Sequence, residues 1–136
     1  MQHDEFIATI QERAQLASRG DAERATRATL ETLGERIPGG LAANLAAQLP
    51  IEIGEHLRRT LPYGATDAPA ERFDADEFVA RVASRSTTDE PVAAYRARVV
   101  FEVVDEATEG GVAQKVAETL PDDIRRLVTA GSTGGV

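Results

Sequence analysis

The sequence has no cysteine and no tryptophan, and only one lysine (Lys115), one methionine, two tyrosines and four phenylalanines in 136 residues. Without cysteine, disulfides, thiolate metal sites and a thiol nucleophile are excluded. An aromatic share of 4% is too small to build base-stacking platforms. Positive charge is also scarce, with 15 basic against 23 acidic residues and a formal charge of −8. That balance disfavours a phosphate-backbone binder, which clusters its cations. No apolar run approaches the roughly 18 to 20 residues of a membrane span. The opening MQHDEFIATI lacks the basic and apolar regions of a signal peptide. A cytoplasmic protein is expected, with no membrane partner. Few lysines, many small residues and excess carboxylates fit a salt-rich cytosol as well as they fit a GC-rich genome.

What the chain does contain is a repeated sentence. Asp4-Glu5-Phe6-Ile7-Ala8 returns 72 residues later as Asp76-Glu77-Phe78-Val79-Ala80, and Ile10 and Arg13 return as Val82 and Arg85. After a one-residue gap, Glu31 and Glu35 fall on Glu102 and Glu106, Gly39-Gly40 on Gly110-Gly111, and Leu49-Pro50 on Leu120-Pro121. Leu30, Leu33, Leu41, Leu45 and Ile53 fall on Phe101, Val104, Val112, Val116 and Ile124. Matches that alternate with freely varying polar positions mark an internal duplication.

Each copy reads as four helices. The first opens on the Asp-Glu-Phe motif, whose acids suit the positive end of a helix dipole, and buries Phe6, Ile7 and Ile10, or Phe78, Val79 and Val82. The second starts near Asp21, or near Pro91 in the later copy, where proline is tolerated in a first turn. Taken alone, RVVFEVV (98–104) looks like a strand; its partner TRATLETL favours helix, and copies of one unit share a fold. The double glycines are expected to end helix two and permit a sharp turn. Leu41, Leu45 and Leu49, like Val112, Val116 and Leu120, share one face of helix three. Leu-Pro ends that helix, and helix four turns Ile53 and Leu57, or Ile124 and Val128, inward. The expected architecture is one all-α domain of two tandem four-helix repeats with pseudo-twofold symmetry: repeat 1 at about 4–60, a linker at 61–75, repeat 2 at about 76–129 and a disordered tail at 130–136.

These residues also carry a resemblance. Glu5-Phe6-Ile7, RATLETLGERI (27–37) and LAAQLP (45–50) resemble a prokaryotic family catalogued as domain of unknown function 2267, over about residues 4 to 129. The resemblance implies a small, all-helical cytosolic protein made of a duplicated unit, and no catalytic residue. The later copy departs from it, with GluAlaThr for GluArgIle and AlaGluThrLeuPro for AlaAlaGlnLeuPro. A role for Arg36 or Gln48 therefore belongs to one half only.

Sites for chemistry are few. Glu52 and His56, four apart, could share a helical face as metal ligands; two ligands make a poor site, so no metal and no cofactor is expected. His3 lies at the start of the first helix. Ser18, Ser84 and Ser86 sit near helix ends, where serine caps, and no Gly-x-Ser-x-Gly or phosphate loop is present. Arg58-Arg59 and Arg125-Arg126 are not equivalent in the repeat. Because Arg13 and Arg85 recur, as do Glu31 with Glu102 and Glu35 with Glu106, interhelical ion pairs are expected: Arg13 with Glu31 or Glu35, and Arg85 with Glu102 or Glu106. The expectation is a non-enzymatic protein-interaction or assembly module, with self-association favoured by Leu57, Leu61 and Tyr63. The alternatives are a helix-turn-helix nucleic-acid binder or regulator, and a small-molecule-binding protein.

Overall fold

The computed structural model describes residues 1–61 and 67–131, and these form eight α-helices and no strand. In order they are α1 (His3–Arg13), α2 (Arg19–Arg36), α3 (Gly39–Gln48), α4 (Ile51–Arg58), α5 (Ala75–Ser86), α6 (Glu90–Ala107), α7 (Val112–Thr119) and α8 (Asp122–Thr129). Tyr63 and residues 132–136 of the expected tail lie outside the described residues.

Local chemistry sets most boundaries. Ser18 caps α2 by accepting the Asp21 amide at 3.1 Å, so the helix starts at Arg19, two residues earlier than its apolar pattern suggests. Asp74 and Asp89 cap α5 and α6 in the same way, through the amides of Glu77 and Val92. Pro50 and Pro121 stand at the N-caps of α4 and α8. The strand-like valines belong to α6, where Ala93, Ala97, Val100 and Val104 are buried one turn apart, alongside Val99 and Val103. Burial on a helical period overrides β-propensity there.

The double glycines correct the sequence reading. In the first half α2 ends at Arg36, Pro38 makes the turn, and Gly39-Gly40 form the first turn of α3. In the second half Gly110 and Gly111 both adopt left-handed backbone, φ 70° and 76°, between α6 and α7. Only the later pair needs glycine for its conformation.

Helices α1, α2, α5 and α6 form the central layer, with α1 and α5 each packed against both long helices. The pair α3–α4 and the pair α7–α8 flank it, and α3 meets α7. Phe6, Phe78, Leu30, Leu45, Ile53 and Ile124 sit fully buried in one continuous core. Leu49 and Leu120 join it at the helix ends, whereas Leu41 is only partly covered. Leu57 is fully buried and offers no surface to a second copy, which removes it from the self-association argument, while Leu61 is partly buried against the core.

The described end of the segment expected as linker, residues 67–75, is tied to the first half. Gly39 donates its amide to the Ala68 carbonyl and Glu71 donates to the Glu35 carbonyl, both at 2.8 Å. No helix among the described residues is long and apolar enough to cross a membrane.

Candidate functional site

The recurring charges do pair between helices, but with partners exchanged from the expected ones. Arg85 on α5 grips Glu35 on α2 with both terminal nitrogens, Nη1–Oε1 2.8 Å and Nη2–Oε2 2.7 Å. Its Nη1 also reaches the Thr32 hydroxyl at 2.7 Å, and its Nε lies 3.7 Å from Glu31. Arg13 on α1 makes the reciprocal contact on α6, bidentate with Glu106 and 2.9 Å from Glu102 Oε1. The reason is reach. Arg13 ends α1 against α6, where the Tyr95 hydroxyl also meets its carbonyl at 3.4 Å, whereas the start of α2 lies by the other end of α1, with Arg19 Nη2 2.7 Å from Asp4. The far end of the other long helix supplies the acid instead.

These pairs leave electrostatic marks. Arg85 hydrogen bonds hold the Glu35 carboxyl below its ordinary value, against the opposing effect of burial, and Arg81 adds to them. Glu106 raises Arg13 and Glu35 raises Arg85, so both guanidiniums are more firmly protonated than usual.

Beside Glu35 stands a cluster that escaped the sequence reading. The Arg81 guanidinium lies 3.9 Å from the Phe73 ring centre and Arg36 lies 5.7 Å from it, both as cation–π partners. Arg36 Nε also donates to the Phe73 carbonyl at 2.9 Å, and Arg81 reaches Glu35, Glu71 and Glu77. Burial is the largest influence on Arg81 and pushes it down, yet the three carboxylates together raise it. A signal was available: Phe73 is one of only four phenylalanines and precedes the second Asp-Glu-Phe motif by three residues.

The single-copy residues reach outward from their own half. Arg36 holds Phe73 as described. Gln48, at the end of α3, accepts the Glu109 amide at 2.8 Å and so ties α3 to the turn after α6. In the adjacent basic pairs, Arg58 bonds Glu55, Arg59 bonds Glu31 through Nη1, and Arg125 donates to the carbonyls of Ala117 and Leu120. Ser86 donates back to the Val82 carbonyl rather than capping.

Glu52 and His56 lie one turn apart on α4, but His56 Nδ1 faces Arg59 Nη1 at 3.1 Å. Burial and, next, the Arg59 charge push the His56 imidazole below its ordinary value, which keeps it neutral at pH 7. His3 and His56 line one cleft of about 500 Å³ between α1, α2 and α4, together with Arg24, Arg27 and Arg59. Sequence spacing gave no hint of that meeting, since His3 and His56 lie on helices far apart in the chain.

A family model described as an uncharacterized conserved protein, DUF2267, matches residues 3–127, which span all of α1 to α7 and most of α8. The chain belongs to the DUF2267 family. No curated protein matches it. In this DUF2267 protein the motif residues of the earlier half, RATLETLGERI, contribute Glu31, Glu35 and Arg36, which are the acids gripped by Arg85 and the clamp on Phe73.

Proposed function

We propose that this DUF2267 protein is a cytosolic, non-catalytic protein-interaction or assembly module built from two four-helix units about a pseudo-twofold axis. The crossed ion pairs carry the reading. The two arginines that recur in both copies each join one half to the other, Arg13 to α6 and Arg85 to α2. Helix lengths support the duplication: 11, 18, 10 and 8 residues in the first half, and 12, 18, 8 and 8 in the second. A body locked in this way presents fixed furrows between its halves. One is lined by Gln48, Ala107, Glu109 and Gly110 where α3 meets the α6–α7 turn, and a partner helix suits such a groove. At the start of α4, Ile51 keeps 73% of its surface exposed and offers an apolar anchor.

Native mass spectrometry of the protein taken straight from its cell, undialysed, tests this. The reading expects a stoichiometric polypeptide partner or a discrete homo-oligomer, lost when Gln48 and Ile51 are both replaced by Glu. A bare monomer at every concentration, or turnover of a small molecule, overturns it.

A further inference from the structure

We propose that the cleft between α1, α2 and α4 is a binding site for a small oxyanion of phosphate or sulfate type. In a chain of net charge −8, this cleft gathers three guanidiniums and both imidazoles around one space of about 500 Å³. Arg24 and Arg59 are each shared with one carboxylate, Asp21 at 3.0 Å and Glu31 at 2.6 Å. A guanidinium carries five N–H donors, so both keep donors for a ligand. Arg27 makes no ion pair among the described residues and is exposed at the cleft wall. Of the two carboxylates that line the space, Glu23 is already held by Arg19 at 3.0 Å, and Glu52 is exposed to water.

Packing does not demand this lining. At the corresponding positions of the second half, 71 or 72 residues on, Ala75 replaces His3, Tyr95 replaces Arg24, Leu127 replaces His56 and Ala130 replaces Arg59; of the five basic residues only Arg27 keeps a basic counterpart, Arg98. Tyr95 and Leu127 pack on the core there, and Asp123, standing for Glu52, is spent accepting the Ala75 amide at 2.8 Å. Four of the five basic side chains of the cleft are thus peculiar to the first half.

Binding is coupled to protons. The groups facing His56 are Glu52 and Arg59 from its own helix, Glu23, Arg27 and Glu31 from α2, and His3 with its neighbour Asp4 from α1. Arg59, Arg27 and His3 oppose protonation of the ring and Glu31 favours it. A bound dianion reverses that balance, so it raises the imidazole pKa and binds more tightly at acid pH. Each unit of pKa rise is worth about tenfold in affinity.

The test is an NMR titration of the full chain with inorganic sulfate, a dianion throughout the range, at constant ionic strength balanced with chloride, at pH 5.5 and 7.5. Saturable shifts of the His3 and His56 rings and of the Arg27 and Arg59 side chains are expected, with a Kd about tenfold or more lower at pH 5.5. Arg27→Gln should weaken binding about tenfold or more with unchanged melting temperature, while Arg96→Gln should leave binding intact. Linear shifts without saturation overturn the proposal, as does a Kd independent of both pH and Arg27. Cleft resonances that answer to a DNA duplex and not to sulfate overturn it in favour of nucleic acid. The pH dependence in the unaltered chain decides the matter even if the variant fails to fold, and no outcome bears on the assembly reading.

Discussion

A double-mutant cycle on Arg85 and Glu35 measures whether the halves are fastened to each other or each to itself. The two side chains expose only 29% and 22% of their surface, and two hydrogen bonds of 2.7 and 2.8 Å join them. Fully exposed pairs are worth about 0.2–1 kcal/mol, whereas hydrogen bonds between charged groups contribute about 1.5–3 kcal/mol each when shielded. This pair lies between those limits, so a coupling of about 1–2 kcal/mol is expected between Arg85→Ala and Glu35→Ala. Arg85→Ala alone should cost about 2 kcal/mol, because the Thr32 contact goes with it. At this chain length that is a fall of roughly 4–8 °C in Tm. The control cycle pairs Arg85→Ala with Glu102→Ala, a partner expected from the sequence in its own half but bonded to Arg13 instead, and should show additivity within about 0.5 kcal/mol. Urea unfolding followed by circular dichroism supplies the free energies. Additivity at Arg85–Glu35, or a coupling above about 1 kcal/mol at Arg85–Glu102, would refute the crossed arrangement.

Two glycine substitutions should move stability in opposite directions. A Cβ on Gly54 stands 2.7 Å from the Ala46 carbonyl oxygen, which is backbone and cannot turn away; overpacking of about 1–3 kcal/mol should outweigh the helix-propensity gain of about 1 kcal/mol. At Gly20 the nearest atom is 3.8 Å away, so Gly20→Ala should be neutral or stabilising by up to about 1 kcal/mol, and urea midpoints separate the two cases. The depressed carboxyl of Glu35 contributes stability above the ordinary carboxylate value of 4.5 that is lost as pH falls through its lower folded value. Glu35→Gln should therefore flatten the decline of Tm between pH 6 and 3, and a parallel decline in the variant would contradict the assignment. His56 has its folded value lowered, so the unfolded chain binds the proton first and stability should begin to fall below about pH 6.5; His56→Gln should remove that first limb. If the acidic surface is adapted to a salt-rich cytosol, Tm should rise by several degrees between 0.1 M and 2 M KCl, where the Debye length shrinks to a few ångströms; a flat or falling Tm would favour genome composition as the origin of the arginine bias.

Helical periodicity carried the core well. Phe6, Ile7 and Ile10, and the turn-spaced Val112, Val116 and Leu120, are buried as their spacing predicts, because one face of a helix must meet the interior. The valines of α6 required the comparison of copies, since a β-branched run has no helical signature of its own. Identical dipeptides misled at Gly39-Gly40, where Pro38 had already made the turn and the glycines could enter a helix. The ion-pair residues were legible and their partners were not: periodicity says which residues share a face, not which end of which helix lies opposite. The cleft was hidden for a deeper reason, because His3, Arg27 and His56 sit on three helices and converge only through tertiary packing.

The backbone carbonyl of Ala46 and the carbonyl 71 residues on, at Ala117, are served in opposite ways. In the earlier half it is met by bare glycine backbone at Gly54; 71 residues on, Ala117 presents the same oxygen, and the long side chain of Arg125 answers it with an N–H at 3.2 Å. One site has become intolerant of any side chain, while its twin depends on a large one. Grafting either helix onto the other's seat would therefore fail in both directions, so α4 and α8, though equal in length, are not interchangeable.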